Sequence, residues 1–161
     1  MTLCLRSLSD SDLPVIFEFE KDEESVQMAG FTHPDPNDRS AFDAHWAKIR
    51  NMEPVVIRTI VSNDETVGTI ASFLRGDERE VTYWIGREYW GQGMATKALL
   101  LFLDVVTERP LFARVAADNA GSLRVLEKCR FVVLRNEQGF AEARGCEIDE
   151  AVLCLKAESV A

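Results

Sequence analysis

The sequence predicts an α/β (α+β) fold: a mixed, mostly antiparallel central sheet with helices on both faces. Three observations carry that expectation. The chain opens on strand-like alternation, with Leu3 and Leu5 on one face and Cys4 and Arg6 on the other. Two β-rich runs, residues 55–61 and 67–74, adjoin across Ser62, Asn63, Asp64 and Glu65 as a hairpin would. Further on, apolar helical runs alternate with short buried strands, which requires crossover connections. The 161 residues fit one domain spanning 1–161, with no repeat, low-complexity segment or linker to divide it.

The elements follow in order. Residues 2–8 make the first strand. Asp10 or Ser11 caps the next helix, with Pro14 in its first turn and Val15, Ile16 and Phe19 facing inward. Residues 18–24 carry five acids and one lysine, either a solvated helix end or an attractor for a cationic substrate. His33-Pro34-Asp35-Pro36-Asn37-Asp38 is a loop, and Asp38 or Ser40 caps a second helix through Arg50 with Phe42, Trp46 and Ile49 on its apolar side. After the hairpin, a turn at Arg75, Gly76 and Asp77 leads into a third strand over 80–85. A Gly-rich turn then opens a strongly apolar helix reaching Thr107. Strands over 111–116, 131–135 and 151–155 and a short helix over 122–128 complete the order β-αα-βββ-α-β-α-ββ, with residues 138–147 as a loop.

With 27 acidic against 18 basic side chains, the formal net charge is −9. That argues against broad binding to nucleic acid or an anionic membrane, since both need a basic face. It also means that an anionic ligand must be gripped by local donors. The four cysteines form no CxxC, and His33 and His45 fit no metal-binding spacing, so no metal is expected. The N-terminus lacks a basic segment followed by an apolar core. The longest apolar stretch, residues 98–106, is broken by Asp104 and falls short of the ~20 residues of a membrane span. A cytoplasmic, reduced protein is the expectation.

The most informative chemistry lies at Gly91-Gln92-Gly93-Met94-Ala95-Thr96. The first N–H groups of a helix have no intrahelical partner and carry the positive end of its dipole. Small residues let a phosphate approach that backbone; the plainer alternative is a tight turn before a buried helix. No P-loop pattern is present. In a dinucleotide fingerprint the third glycine is replaced by Thr96, and residues 86–90 intervene between strand and turn, although Asp118 lies loosely where a ribose-binding acid belongs. A dinucleotide-dependent oxidoreductase therefore stays as an alternative.

Two blocks resemble the GNAT superfamily of N-acetyltransferases. One runs from Tyr83-Trp84-Ile85-Gly86 through Trp90-Gly91-Gln92-Gly93-Met94-Ala95-Thr96 to Lys97-Ala98; the other is Ala113-Arg114-Val115, followed by Asn119-Ala120-Gly121-Ser122-Leu123-Arg124 and the stretch to Phe131. The element order matches that fold, and the Trp-Gly-x-Gly form resembles the Rim-type branch that acetylates ribosomal-protein N-termini. The resemblance implies acetyl-CoA as acyl donor. It implies that N–H groups of Gly91, Gln92, Gly93, Met94, Ala95 and Thr96, after Trp90, hold the pyrophosphate. The strand ending at Trp84 and Ile85 pairs with the pantetheine as an added strand. The resemblance further implies that Asn119 bonds the pantetheine arm and that Arg124 or Lys128 reaches the nucleotide end. Tyr83 and Trp84 also read as core residues and Asn119 as a helix N-cap. A homodimer through the late strands is common in that branch.

Acetyl transfer needs a neutral amine, a polarised thioester carbonyl and a proton for the departing thiolate. By the resemblance, Glu80 is the general base, a free N–H near Ile85 polarises the carbonyl, and Ser122 protonates the thiolate where other members use a tyrosine; here that position is Leu126. Glu80 otherwise reads as an exposed strand-end charge. Ser122 equally reads as the cap of its short helix. Arg130 stands where the family has a helix-ending glycine, at a cost of about 1–2 kcal/mol if the turn keeps its form. Cys129 reads as a packing residue. The implied activity is transfer to a primary amine, either a protein N-terminal α-amine or a small cationic amine. The acids around residues 18–24 and Glu142, Glu147, Asp149 and Glu150 hint at a cationic acceptor. A non-catalytic acyl-CoA-binding or sensing module is the other alternative.

Overall fold

In the computed structural model, which describes residues 2–157, the elements are β1 (Leu3–Arg6), α1 (Leu13–Lys21), α2 (Glu23–Ala29), α3 (Arg39–Arg50), β2 (Val56–Ser62), β3 (Glu65–Arg75), β4 (Glu78–Ile85), α4 (Met94–Phe102), β5 (Leu111–Ala116), α5 (Ala120–Lys128), β6 (Val132–Ala141) and β7 (Cys146–Leu155). The seven strands form one sheet in the order β1-β2-β3-β4-β5-β7-β6. All neighbours are antiparallel except β4 and β5. The mixed sheet of the sequence expectation is thus present, with one helix more.

The additional helix arises at the acidic run. Asp22 leaves helical geometry (ψ 125°), ends α1 and caps α2, its carboxylate accepting the Ser25 N–H at 3.1 Å. The expected cap at Asp10 or Ser11 is also displaced. A short 3-10 turn over Asp10–Asp12 precedes α1, and Asp12 accepts the Ser9 N–H at 2.9 Å. Asp12 is buried and has more demanding partners: both oxygens take the Arg6 guanidinium at 2.8 and 2.7 Å, and Oδ2 accepts the Thr59 hydroxyl at 2.8 Å. It ties β1 and β2 to the start of α1. Because α1 begins at Leu13, its inner face is Ile16 and Phe17, and Val15 is exposed rather than inward. Phe17 meets Phe42 of α3 edge-on at 5.1 Å, where Asp38 caps the helix as expected.

The β2–β3 hairpin turns on two residues, Asn63 (φ 50°) and Asp64 (φ 65°), the left-handed pair that matches strand twist. The last hairpin is longer than expected: residues 138–147 are strand on either side of a turn rather than a loop. Five consecutive residues of β6 are exposed, so no alternation announced it. Helix α4 ends at Phe102, short of Thr107, as Asp104 and Val105 switch to i→i−3 bonds on Leu101 and Phe102 and Val106 tucks into the core.

On one face of the sheet, Met94, Ala98, Leu99 and Phe102 of α4 and Leu126 of α5 pack on Val81, Ile85, Leu111, Ala113 and Leu153. Each large apolar side chain buried here contributes about 1.5–3 kcal/mol. Helix α1 covers the other face, where the Trp84 indole donates to the Phe19 carbonyl at 3.1 Å. Helix α5 ends in a Schellman motif: Phe131 N–H bonds Leu126 O and Arg130 N–H bonds Glu127 O, both at 3.0 Å. Arg130 sits there at φ 72°, so the turn keeps the glycine conformation without the glycine.

Candidate active site

Strands β4 and β5 pair at two positions only, Arg79↔Leu111 and Glu80↔Phe112, and then part. In β4 the groups bonded to β3 alternate with groups that face away. Gly86 N–H donates to Val67 O at 2.9 Å, so by that alternation residues 82 and 84 face β3 while Val81, Tyr83 and Ile85 turn their backbone toward the gap. Trp84 therefore reaches the gap by its side chain, and Ile85 by its amide. The Ile85 carbonyl is occupied by the Trp90 indole N–H at 3.0 Å, which leaves its N–H. A cavity of about 160 Å³ fills the opening, lined by β4, β5, Asn119, Ser122 and the Ala29–Phe31 end of α2.

The Gly-rich turn lies just past the end of β4. Gly91 (φ 76°) and Gly93 (φ 75°) adopt the left-handed region, and a Cβ at either would meet nothing within 4 Å. These glycines are required by backbone conformation, and the space before them is open. The first backbone bond of α4 runs from Lys97 N–H to Gly93 O at 3.1 Å. Among the described residues, the N–H groups of Gly91, Gln92, Gly93, Met94, Ala95 and Thr96 bond to no acceptor. Six unbonded donors lie at or just before the positive end of a helix, on a chain whose net charge is negative.

Across the gap, Asn119 caps α5, its Oδ1 accepting the Ser122 N–H at 3.2 Å. The cap is thus Asn119, and Ser122 lies in the first turn and lines the cavity, its hydroxyl with no hydrogen-bond partner among the described residues. Tyr83 points its hydroxyl at the Ser122 carbonyl, 3.4 Å away. Burial pushes the Tyr83 phenol up to about 12, so it stays a donor.

The family model for the acetyltransferase (GNAT) domain matches residues 2–132. The chain belongs to the GNAT acetyltransferase family. No curated protein sequence matches it significantly. Solved GNAT structures share the fold. RimL, the ribosomal L7/L12 α-N-protein acetyltransferase in complex with coenzyme A, superposes with a TM-score of 0.81 at 16% identity, covering 96% of this chain and 94% of RimL. RimJ of Mycobacterium smegmatis with CoA-disulfide gives 0.80 at 20%, covering 96% and 82%. Spermidine N-acetyltransferase of Vibrio cholerae with CoA and spermine gives 0.77 at 18%, covering 94% and 95%.

Within this GNAT fold, the remaining candidates divide. Arg124 is exposed on α5. Glu80 is buried on β4 beside Phe112 and ion-paired with Arg75, and its Oε2 lies 3.4 Å from Arg114 Nε. It does not line the cavity. Most of the acidic run is also engaged. Glu18 pairs with Lys21 at 3.0 Å, Asp22 with Arg87 at 2.9 Å, and Glu20 is held beside the Trp46 indole at 3.4 Å. Asp118, the acid suited to a ribose, is clamped by both Nη atoms of Arg144 at 2.7 and 3.0 Å. Cys129 is buried and its thiol is pushed up by burial, as suits a packing residue. Among the described residues, no helix is long and apolar enough to cross a membrane.

Arg114, given no role from sequence, and Glu150, named only among the acids hinting at a cationic acceptor, line the cavity from β5 and β7. Arg114 lay inside a recognised block but as an alternating strand residue. Glu150 was one acid among several, and only the register Ala116↔Glu150 brings it beside β5.

Proposed function

We propose that this GNAT enzyme transfers the acetyl group of acetyl-CoA to a primary amine borne by a cationic acceptor, a protein N-terminus or a small amine. One observation carries the reading: the parting of β4 and β5 leaves an unpaired strand edge running into six unpaired N–H groups at the start of α4. That arrangement suits a donor with an amide-containing arm and a polyanionic end. The backbone of residues 91–96, introduced by Trp90, takes the pyrophosphate. Tyr83 and Ile85 offer backbone groups to the pantetheine, flanked by the Trp84 side chain and the free amide nitrogen of Asn119. Arg124 serves the nucleotide end. No metal enters the scheme.

The chemistry follows from the same residues. Ile85 N–H faces the position where the thioester oxygen gains charge, and such a donor contributes about 2.7–4 kcal/mol in related sites. Ser122 Oγ supplies a proton to the thiolate, already a fair leaving group with a pKa around 8–9. Glu80, behind Arg75 and Arg114, serves to fix Arg114 at the cavity wall. The acceptor approaches from the side built by α2 and the β6–β7 hairpin. A second copy pairs along β6, the outermost strand, where Val132, Val133, Leu134 and Phe140 are exposed.

Thiol release from acetyl-CoA in the presence of peptides, polyamines and aminoglycosides tests this reading. Acetyl-CoA-dependent turnover of at least one amine is expected. CoA binding with no turnover on any amine would establish the sensing alternative, and stabilisation by NAD(P) rather than CoA the dinucleotide one.

A further inference from the structure

The acetyl-transfer reading, on which this inference rests, requires a carboxylate that meets the amine. One acid lines the cavity, Glu150 of β7. It lies opposite Ala116 of β5 and Glu137 of β6. Two carboxylates directly opposite repel, and Arg114 resolves the conflict: its Nη1 donates to Glu137 at 2.9 Å and to Glu150 at 3.2 Å. Glu137 has a second guanidinium in Arg135, at 2.6 Å, and Glu80 has Arg75. Glu150 has only its shared bond to Arg114, made by Oε1; its Oε2 has no partner among the described residues. Three carboxylates thus surround one half-buried guanidinium, and the least compensated of them lines the cavity with Tyr83 and Ser122. The α2 end contributes only the uncharged Ala29 and Phe31.

We propose that Glu150 is the catalytic carboxylate: it receives the acceptor's ammonium and takes its proton. The freed lone pair attacks the thioester carbonyl carbon. The C–S bond then breaks with its electron pair left on sulfur, which takes a proton from Ser122 Oγ–H while the second amine proton returns to that oxygen. The products are the N-acetyl amine, CoA thiol and one proton on Glu150, released to solvent. Arg114 and Glu80 are positioning residues that hold the Glu150 carboxylate at the wall.

The test compares Glu150→Gln, Glu150→Asp and Glu80→Gln in the full chain, with spermine and a short free-α-amine peptide as acceptors. CoA affinity and the pH profile of kcat/KM are measured for each. For Glu150→Gln, CoA affinity within about twofold of wild type and a loss in kcat/KM of about 10²–10⁴ at pH 7 are expected. That loss should shrink as pH rises and the free amine accumulates. Glu150→Asp keeps the carboxylate and should restore the wild-type profile shape at reduced rate. Glu80→Gln should keep the profile shape. Wild-type kcat/KM in Glu150→Gln, or a changed profile in Glu80→Gln alone, overturns the assignment while acetyl transfer stands. A wild-type chain that binds CoA and acetylates neither of these acceptors nor any other amine of the peptide, polyamine and aminoglycoside panel overturns both.

Discussion

Arg130 holds φ at 72° so that Phe131 and Arg130 can close the end of α5 on Leu126 and Glu127. A residue with a Cβ pays about 1–2 kcal/mol in that region. Arg130→Gly removes the strain but returns about 0.4–1 kcal/mol through the larger entropy of the unfolded chain. The net expectation is a gain of about 0.5–1 kcal/mol, or roughly 2–3 °C in Tm for a domain of this size. Arg130 is exposed and forms no ion pair among the described residues, so little else changes with it. Arg130→Ala is the control, since it deletes the guanidinium and keeps the strain. Urea and thermal unfolding of the three proteins should order them with Arg130→Gly most stable and Arg130→Ala near wild type. Equal stability of the Gly and Ala variants would refute the argument that backbone strain, rather than side-chain contacts, sets the energy at this position.

Asp12→Asn removes the acceptor shared by Arg6, Ser9 and Thr59 and should cost about 2–3 kcal/mol by denaturant midpoint at pH 7. The Arg6 guanidinium holds the Asp12 carboxyl well below the usual carboxylate range, so this stabilisation is present above about pH 4 and lost as pH falls further; the variant gap should close in acid. Burial pushes Glu20 the other way, up to about 7, which means the unfolded chain ionises first and stability falls as pH rises from about 4 to 7. Glu20→Gln should be stabilising at pH 8, on the order of 1–3 kcal/mol, and near neutral at pH 4. Ser122→Ala should lower kcat about tenfold or less with unchanged CoA affinity, because thiolate leaves without help at a reduced rate. Gly93→Val forces a branched side chain into φ 75° and should weaken CoA binding at least tenfold in a titration.

The parts of the fold legible beforehand were those with a local signature. Alternation marked β1, the Asn63-Asp64 pair marked the hairpin, Asp38 marked the start of α3, and the glycines marked the turn before α4. The residues that went unread depend on contacts distant in sequence. Phe17 replaces Val15 inside α1 because Phe42 of α3 packs on it. The strands over residues 138–147 were hidden because β6 is an edge whose side chains face solvent. At the site, the glycine turn and Ser122 were visible as motifs, but the partition between Glu80 and Glu150 was not. Which of two acids faces a cavity depends on strand register, and Glu80 reads as exposed until Arg75 and Arg114 close over it.

The position of β7 bears on how the chain matures. It lies between β5 and β6, though it is the last of the strands to be synthesised. As the polypeptide leaves the ribosome, at about 5–20 residues per second, β5 emerges with one edge unmatched, and β6, whose only partner is β7, has no place in the sheet. Leu153 and Val152, fully buried in the finished sheet, arrive afterwards, and β7 must pair with β5 and β6 together. The nascent protein can form its Gly-rich turn and still lack one wall of the cavity. Chains halted before Cys146 should bear two adhesive strand edges and engage chaperones far more than the full-length product.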